Sequence, residues 1–503
     1  MTTTPRTYGG WRRSRGIGLL GLGLGGTLTL LGAVLVVIVA AQISPALLVW
    51  VGPPTGVVVL AAVVRFGGEP IGMFVVQRVR WWIGRMRGYT KYRSGILVEH
   101  PRAWNLPGVL APVSLVSADD GLGSSYGVVW NRRTGEFTAT LLVAPASIWL
   151  ADPDEVDGWV ARWGAWLARL GYMPYVRHVA VTVETAPEPG STLADQVYAS
   201  LDPQSPPAAR HIMDELVQSA PAAAAEVHTR VSITFAPHGF PSRPKKLDEV
   251  LVEIGHSLTQ LESSLNGCGV TVVGRATATQ IVGMVRSAYD PLARGAINRA
   301  LSDEHPDPLL EGKTPRPDDH GVQWHDAVPI GARETPGYYE HDSGISVSWG
   351  WNEAPRQIVQ SHVLSPLLAP TRHHKRVTLL FRAYPAGEAS RLLEAEVNAA
   401  HFRRALRQAQ GRDATARDAV DEARARQAAA DEAAGAGVTR CSMYVTVTVT
   451  DHGDLPRAIA QTEADAETSK IRLRRLWHSQ STGFATTLPC GIYPPDLAYE
   501  LSK

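Results

Sequence analysis

The strongest pattern in the chain is a pair of long apolar runs close to the N-terminus. Residues 17–41 contain no charged side chain and exceed the roughly 20 residues that a helix needs to cross the hydrocarbon core of a membrane. A second run, 46–64, carries Pro53 and Pro54 near its middle. These prolines either kink a second helix or form the turn that precedes it. The pattern therefore predicts a transmembrane hairpin of two helices.

A secretory signal peptide is the first alternative, because the arginine-rich stretch 12–15 precedes the first run. The run is much longer than the roughly 7–15 residues of a signal peptide, and a second run follows at once, so we expect a retained anchor. Gly21 and Gly25 are spaced so that another helix could approach closely at that face. Small residues are also common in membrane helices, which would explain the two glycines equally well.

Basic residues border the predicted hairpin on both sides. Those on the C-terminal side include Arg65, Arg78, Arg80, Arg85 and Arg87. The positive-inside rule then places both termini in the cytoplasm, with a short turn outside.

The segment from Pro70 interleaves arginines with apolar residues, among them Trp81 and Trp82. This pattern predicts an interfacial helix, with aromatic rings at the headgroup level and arginines that reach anionic lipid. An RNA-binding patch would use the same residue types, but the position beside a membrane span favours lipid.

Downstream of residue 98, strand-like alternation and helical periodicity alternate along the chain. They predict an α+β fold with mixed or antiparallel sheets, in two cytoplasmic units, 99–301 and 344–503. The aperiodic segment 302–343 is expected to be a surface linker between them, and 1–98 forms the hairpin and the interfacial helix. Two further helical segments are predicted: a long charged arm over 388–434, and a helix over 456–476.

Composition limits the classes of function. The chain has 503 residues, 45% hydrophobic and 19% charged, so each unit can bury an ordinary core. A net charge of +1 argues against general nucleic-acid binding, and we expect no sequence-specific contact with nucleic acid. The three cysteines, Cys268, Cys441 and Cys490, are far apart and suggest a reducing compartment.

No catalytic motif stands out, and we expect neither an enzyme nor a cofactor. The glycines of 269–277 have the spacing of a phosphate-binding loop, but Arg275 and Ala276 replace the Lys and Ser/Thr that such a loop needs. Histidines and acids cluster over 318–342, in types that ligate zinc or manganese. Their spacing matches no known site, so a polar loop is the preferred interpretation and no metal site is expected.

The segment 469–495, SKIRLRRLWHSQSTGFATTLPCGIYPP, resembles the end of the N-terminal domain of the large ATPases of conjugation and type IV secretion. In that family an arginine-rich helix leads to a glutamine, an aromatic residue and a Leu-Pro-x-Gly run. The matching positions here are Gln480, Phe484, Leu488, Pro489 and Gly491. The predicted hairpin with its basic helix is similar to the small membrane subunit of the same machines.

The family's ATP-binding motor would begin soon after Pro495, whereas this chain reaches only Lys503. The resemblance therefore implies a non-catalytic, oligomeric platform in the cytoplasmic membrane, which docks a separate VirB/TrbE-type secretion ATPase and contacts other membrane components of the translocation channel. The alternative is a membrane component of a type VII-like secretion system, which also pairs two spans with a cytoplasmic domain.

Overall fold

The structure is a computed structural model that describes most of the chain. The described residues are 8, 24–66, 69–95, 98, 103–119, 125–147, 151–187, 197–198, 200–202, 204–219, 225–303, 323–353, 359–409, 416–433, 435 and 437–500.

The helices are α1 (Leu24–Ile43), α2 (Leu47–Val63), α3 (Ile71–Met86), α4 (Pro153–Leu170), α5 (Pro207–Ser219), α6 (Leu247–Leu265), α7 (Ala278–Tyr289), α8 (Arg294–Asp303), α9 (Ser365–Leu368), α10 (Ala386–Ala409), α11 (Ala416–Ala433), α12 (Leu455–Thr468), α13 (Gln480–Thr486) and α14 (Pro494–Glu500). The strands are β1 (Arg65–Phe66), β2 (Glu69–Pro70), β3 (Lys91–Arg93), β4 (Val113–Asp119), β5 (Ser125–Asn131), β6 (Glu136–Pro145), β7 (Val176–Pro187), β8 (Ala225–Phe235), β9 (Val270–Arg275), β10 (Gly331–Glu334), β11 (Tyr339–His341), β12 (Gly344–Glu353), β13 (His374–Ala383), β14 (Thr439–Val449) and β15 (Arg472–Arg475).

Thirteen strands form one sheet, in the order β3-β10-β11-β12-β14-β13-β7-β8-β6-β5-β4. Strand β15 also pairs with β12, and β9 also pairs with β6. Neighbouring strands are antiparallel throughout. The α+β class with an antiparallel sheet is thus confirmed. Strand β7 pairs with β13, so sheet pairing crosses the predicted division between 99–301 and 344–503.

The two halves of the sheet repeat one topology. Strands β4 to β9 have the same order and pairing as β10 to β15. The halves meet in the middle of the sheet, where β7 of the first half lies beside β13 of the second. At the junction Val181 pairs with Leu379, and Val183 pairs with Val377. If Thr182 of the first half is equivalent to Thr378 of the second, rotation by 180° converts each of these two pairs into the other. The register therefore fits a pseudo-twofold axis that passes between Thr182 and Thr378.

Side chains follow the same symmetry. The Thr182 and Thr378 hydroxyls are 2.9 Å apart at the axis. In the first half Thr138 contacts Thr234, and Thr140 contacts Ser232. The equivalent pairs in the second half are Ser346–Thr448 and Ser348–Thr446. All these side chains are buried, and because each hydroxyl has a cross-strand partner, their burial leaves no unpaired polar group.

Both faces of the sheet are covered. The valine-rich face of the first half packs against α4 and α6, and that of the second half packs against α9 and α12. The hydroxyl-bearing face lies under α7, α8, α13 and α14. Strand β14 alternates valine with threonine, a pattern typical of a strand with one face on the core and one face exposed to solvent. Tertiary packing has buried both of its faces instead.

Two predicted segments differ in the structure. The described part of the predicted linker, 323–343, contains strands β10 and β11 of the sheet. The sequence did not predict them because strands of three or four residues show too little periodicity. The predicted helix over 456–476 ends at Thr468. Two residues later, Lys470 takes a left-handed backbone conformation with φ at 57°. Arg472–Arg475 then forms β15 against β12.

Candidate membrane-interface site and C-terminal segment

The apolar N-terminal helices lie outside the core of the sheet domain. Helix α1 is the one described helix that is long and apolar enough to cross a membrane, and α2 is shorter, at 17 residues. Helix α2 runs through Pro53 and Pro54, so the second apolar segment begins before the prolines. Gly25 lies in α1, whereas Gly21 is outside the described residues. Arg65 lies in β1, and its side chain is outside the described part.

Helix α3 carries an exposed apolar stripe. Val75, Val79, Trp82 and Met86 recur at intervals of three or four residues, so they share one face, and each is at least 48% exposed. The start of the helix lies against α2, since a Cβ on Gly72 would be 3.2 Å from the Ala61 carbonyl oxygen. The stripe is therefore continuous with the apolar N-terminal helices.

A second face of α3 contacts the sheet domain at His478. The His478 ring lies edge-on to Phe74 and Trp81, with centroid distances of 5.9 and 5.6 Å. An Arg78 guanidinium nitrogen is 3.4 Å from His478 Nε2. The Trp81 indole nitrogen is buried. Trp81 and Arg78 thus contact protein, although the sequence predicted both at the lipid interface. Arg85 lies over the Trp81 ring.

His478 occupies an unusual backbone position, with φ at 65°. Its amide N–H donates to the Pro336 carbonyl, and the Leu476 N–H donates to the Ser348 carbonyl, so the loop that carries it is bonded to β12 and to the β10–β11 turn. Burial and the nearby Arg78 lower the pKa of His478, which favours the neutral ring.

Strand β3 is a second attachment of α3 to the sheet. It begins five residues after α3 and pairs with β10 at the edge. The Glu334 N–H donates to the Thr90 carbonyl, and the Ser94 N–H donates to the Ile330 carbonyl. The exit of α3 is therefore held by strand pairing, in addition to the contact with His478.

The segment that carries the family resemblance lies across the hydroxyl face of the sheet and is buried. Gln480 begins it in the second half, where its side-chain carbonyl accepts from the Ser348 N–H at 2.7 Å. Its amide donates to the Leu476 carbonyl. Gln480 and Phe484 are fully buried, and Leu488 and Pro489 are buried as well. These motif residues pack inside the fold, and their side chains are not available to a partner.

At the pseudo-twofold axis the segment meets a buried charge cluster. Arg230 donates to the Thr487 carbonyl, and Arg376 donates to the Thr487 hydroxyl. Glu184 pairs with Arg230 at 2.6 Å and with Arg294 at 3.3 Å. Burial alone would raise the pKa of Glu184, but the arginines around it outweigh burial and hold the pKa well below its usual range. Burial lowers the pKa of Arg376 to about 10, so Arg376 remains charged at neutral pH.

In the first half the segment ends against β6, β7 and β8. A Cβ on Gly491, whose φ is 67°, would lie 2.0 Å from Thr138 Oγ1, so only glycine fits. The Tyr493 ring stacks on His178 at 5.1 Å. Asp496 pairs with Arg177 and Arg382, both at 2.9 Å. The segment therefore connects the two halves from Gln480 to Asp496.

The histidines and acids predicted to form a polar loop are distributed differently. Asp318, Asp319 and His320 lie outside the described residues. His341 is buried, with Nδ1 2.6 Å from the Tyr289 carbonyl oxygen and Nε2 2.7 Å from Ser346 Oγ. Burial lowers its pKa to about 3. The serine–histidine contact could activate a nucleophile in an open site, but here both residues are sealed in the core. The described residues contain no cluster that could hold a metal.

The glycine-containing stretch 269–277 is strand β9 followed by a helix cap. Thr277 and Gln280 form a reciprocal capping box at the start of α7. The backbone N–H groups of Thr277 and Gln280 are therefore each paired with the other residue's side chain within the chain.

His478 and the repeat itself were missed by sequence reasoning. A signal was present: Gln280 and Gly283 have the same spacing as Gln480 and Gly483, each pair following a short strand. In both halves the residue after that strand donates its N–H to an equivalent carbonyl, Ala276 to Thr140 and Leu476 to Ser348. The internal repeat is thus weakly visible in the sequence.

No family model matches the chain, and no match is found among curated proteins.

Proposed function

We propose that this protein is a non-catalytic scaffold of a conjugation or type IV-like secretion apparatus in the cytoplasmic membrane. Helices α1 and α2 form a two-span hairpin with both termini in the cytoplasm, and the sheet domain docks a separate cytosolic ATPase. The scaffold is an oligomer that also contacts other membrane components of the translocation channel.

The observation that carries this proposal is the double attachment of α3 to the sheet. A domain that only needed tethering to a membrane could hang from a flexible linker. Here the helix next to the apolar segments is fixed by β3–β10 pairing and by the Phe74 and Trp81 contacts with His478. Such a connection suits a scaffold that holds a motor in place and transmits its movement.

The helical arm, formed by α10 and α11, is the surface that we assign to the ATPase. It projects between β13 and β14, and its base is closed by the N–H of Tyr384 donating to the Val438 carbonyl. Arg382, which precedes the arm, binds Asp496 of the C-terminal segment. In the resembling ATPases the motor follows that segment, so a separate motor in the equivalent position would meet the arm.

The test is purification of the full chain from native membranes in mild detergent, with mass spectrometry of the proteins that accompany it. We expect a secretion ATPase with the wild-type chain. The arm can be replaced by a short turn across 386–436, because Ala383 and Thr439 are paired at its base. This variant should lose the ATPase, because the proposed binding surface is gone.

The matched control removes the equivalent insertion of the other half. Replacing 188–224 with a short turn after the Pro187–Ala225 pair should leave the ATPase bound. Loss of the ATPase from both variants would contradict the assignment to the arm. Recovery of no ATPase with the wild-type chain would contradict the scaffold proposal, and recovery of a three-module ATPase would favour the type VII-like alternative.

A further inference from the structure

Helix α3 has two faces with different surroundings. Phe74, Arg78 and Trp81 lie on the face that contacts His478. Val76 and Ile83 are exposed beside the stripe, and on a helical projection the exposed apolar side chains together centre on Val79. Phe74, Arg78 and Trp81 each lie about 100° or more from Val79 around the helix. A helix of this kind can bind protein and lie on a second surface at the same time.

The arginines of α3 divide in the same way. Arg78 approaches His478, and Arg85 lies over the Trp81 ring. Arg80 and Arg87 are exposed on the other side of the helix, next to the exposed Val76 and Ile83, and make no ion pair within the described part of the chain. Cationic groups beside an exposed apolar stripe fit a surface that is apolar inside and anionic at its rim.

We propose that α3 lies flat in the headgroup region of an anionic bilayer, with Val75, Val79, Trp82 and Met86 inserted and with Arg80 and Arg87 on lipid phosphates. His478 is the positioning residue that fixes the sheet on the opposite side of the helix. The lipid surface is favoured over a protein partner because the stripe continues from α1 and α2 through the close contact between Gly72 and Ala61. This inference rests on the proposed membrane location and specifies which residues contact lipid.

A fluorescent label on single cysteines tests the orientation of the helix. The full chain with Cys268→Ala would be labelled at Val79→Cys or Gln77→Cys and placed in lipid nanodiscs. Burial raises the pKa of Cys441 and Cys490 to about 12, so these thiols should react slowly. We expect a lipid-borne nitroxide to quench position 79 and to spare position 77, which lies off the stripe. Quenching of position 79 by aqueous iodide instead would overturn the proposal.

Two charge-matched double variants test the lipid phosphates. Quenching at position 79 should increase when phosphatidylglycerol replaces part of the phosphatidylcholine. The R80Q/R87Q variant should lose this increase, whereas R78Q/R85Q should retain it, because Arg78 and Arg85 face protein. Equal loss in both variants would contradict the assignment of the two arginine pairs.

The positioning role is tested with His478→Ala. Spin labels at positions 77 and 252, the latter on α6, should give a narrow distance distribution in the wild-type background and a broad one in the variant. Lipid quenching at position 79 should persist. An unchanged distribution would show that β3 alone positions the sheet. None of these outcomes depends on recovery of the ATPase, so this inference and the proposed function fail separately.

Discussion

At the scale of the residue, Gly491 of the C-terminal segment and Glu184 of β7 beneath it occupy positions that allow only one side chain. Gly491 combines a positive φ with a Cβ position that Thr138 Oγ1 already occupies. Glu184 is surrounded by arginines that only a carboxylate can balance. The constraint on Gly491, with the burial of Gln480, Phe484, Leu488 and Pro489, explains these residues as parts of a core.

Gly491→Ala should therefore destabilise the protein by more than ~3 kcal/mol, since a steric overlap adds to the cost of the left-handed backbone. The measurement is chemical or thermal unfolding of the full chain in detergent. Gly135→Ala is the matched control, because Gly135 has a similar φ of 71° and open space at its Cβ position. It should cost only about 1 kcal/mol. Equal losses in the two variants would mean that the overlap with Thr138 is relieved.

Acid should destabilise the protein through its buried histidines. Burial lowers the pKa of His178 and of His341 to about 3. Between pH 6.5 and 3 the unfolded chain therefore binds protons that the folded chain does not, so the unfolding free energy falls as pH falls. The carboxylate of Glu184, whose pKa is also lowered, acts in the same direction below about pH 4.5.

The expected loss between pH 7 and pH 4 is about 3 kcal/mol for each of the two histidines. Unfolding by urea at a series of pH values measures it, and His178→Asn should show a shallower decline because asparagine takes up no proton. The same pH slope in the variant and in the wild type would be incompatible with this origin.

At the scale of the element, the central strands β7 and β13 join the two halves through polar pairs. The Thr182 and Thr378 hydroxyls satisfy each other at the axis, where both side chains are buried. The same arrangement recurs between β6 and β8 and between β12 and β14. Because each buried hydroxyl has another hydroxyl as its hydrogen-bond partner, a threonine-rich face can form the interior of a layered domain.

A double-mutant cycle at the axis measures this dependence. Thr182→Val leaves the Thr378 hydroxyl buried without a partner and should cost about 1–3 kcal/mol. The double variant T182V/T378V should cost less than the sum of the single changes, because no unpaired hydroxyl remains. Additive costs, measured by unfolding of the full chain, would indicate that another group takes the place of the missing partner.

At the scale of the whole molecule, the two halves depend on each other. Strand β7 would be an open edge without β13, and the C-terminal segment covers both halves. The predicted boundaries at 302–343 would separate parts that the sheet joins. Periodicity predicts two cytoplasmic units because strand pairing between distant segments does not show in periodicity.

Cleavage at an engineered protease site between Asp303 and Gln323 tests this interdependence. The two fragments should remain together on size-exclusion chromatography, because β7–β13 pairing and the 480–496 segment hold them. The fragment 1–303 expressed alone should aggregate through its open strand edge. Separation of the cleaved chain into two stable folded fragments would restore the division into independent units.

The sequence by itself determined the elements, since apolar runs, 3.6-residue periodicity and strict alternation act over short distances. It therefore predicted the apolar helices, the helix that follows them and the alternation of strands and helices downstream of residue 98. Only tertiary structure decided what these elements contact. It placed the threonine face of β14 inside the fold, turned Trp81 towards His478 and buried Gln480 against Ser348. The reason is that strand order and helix orientation are set by packing between residues hundreds of positions apart, which leaves little trace in local pattern.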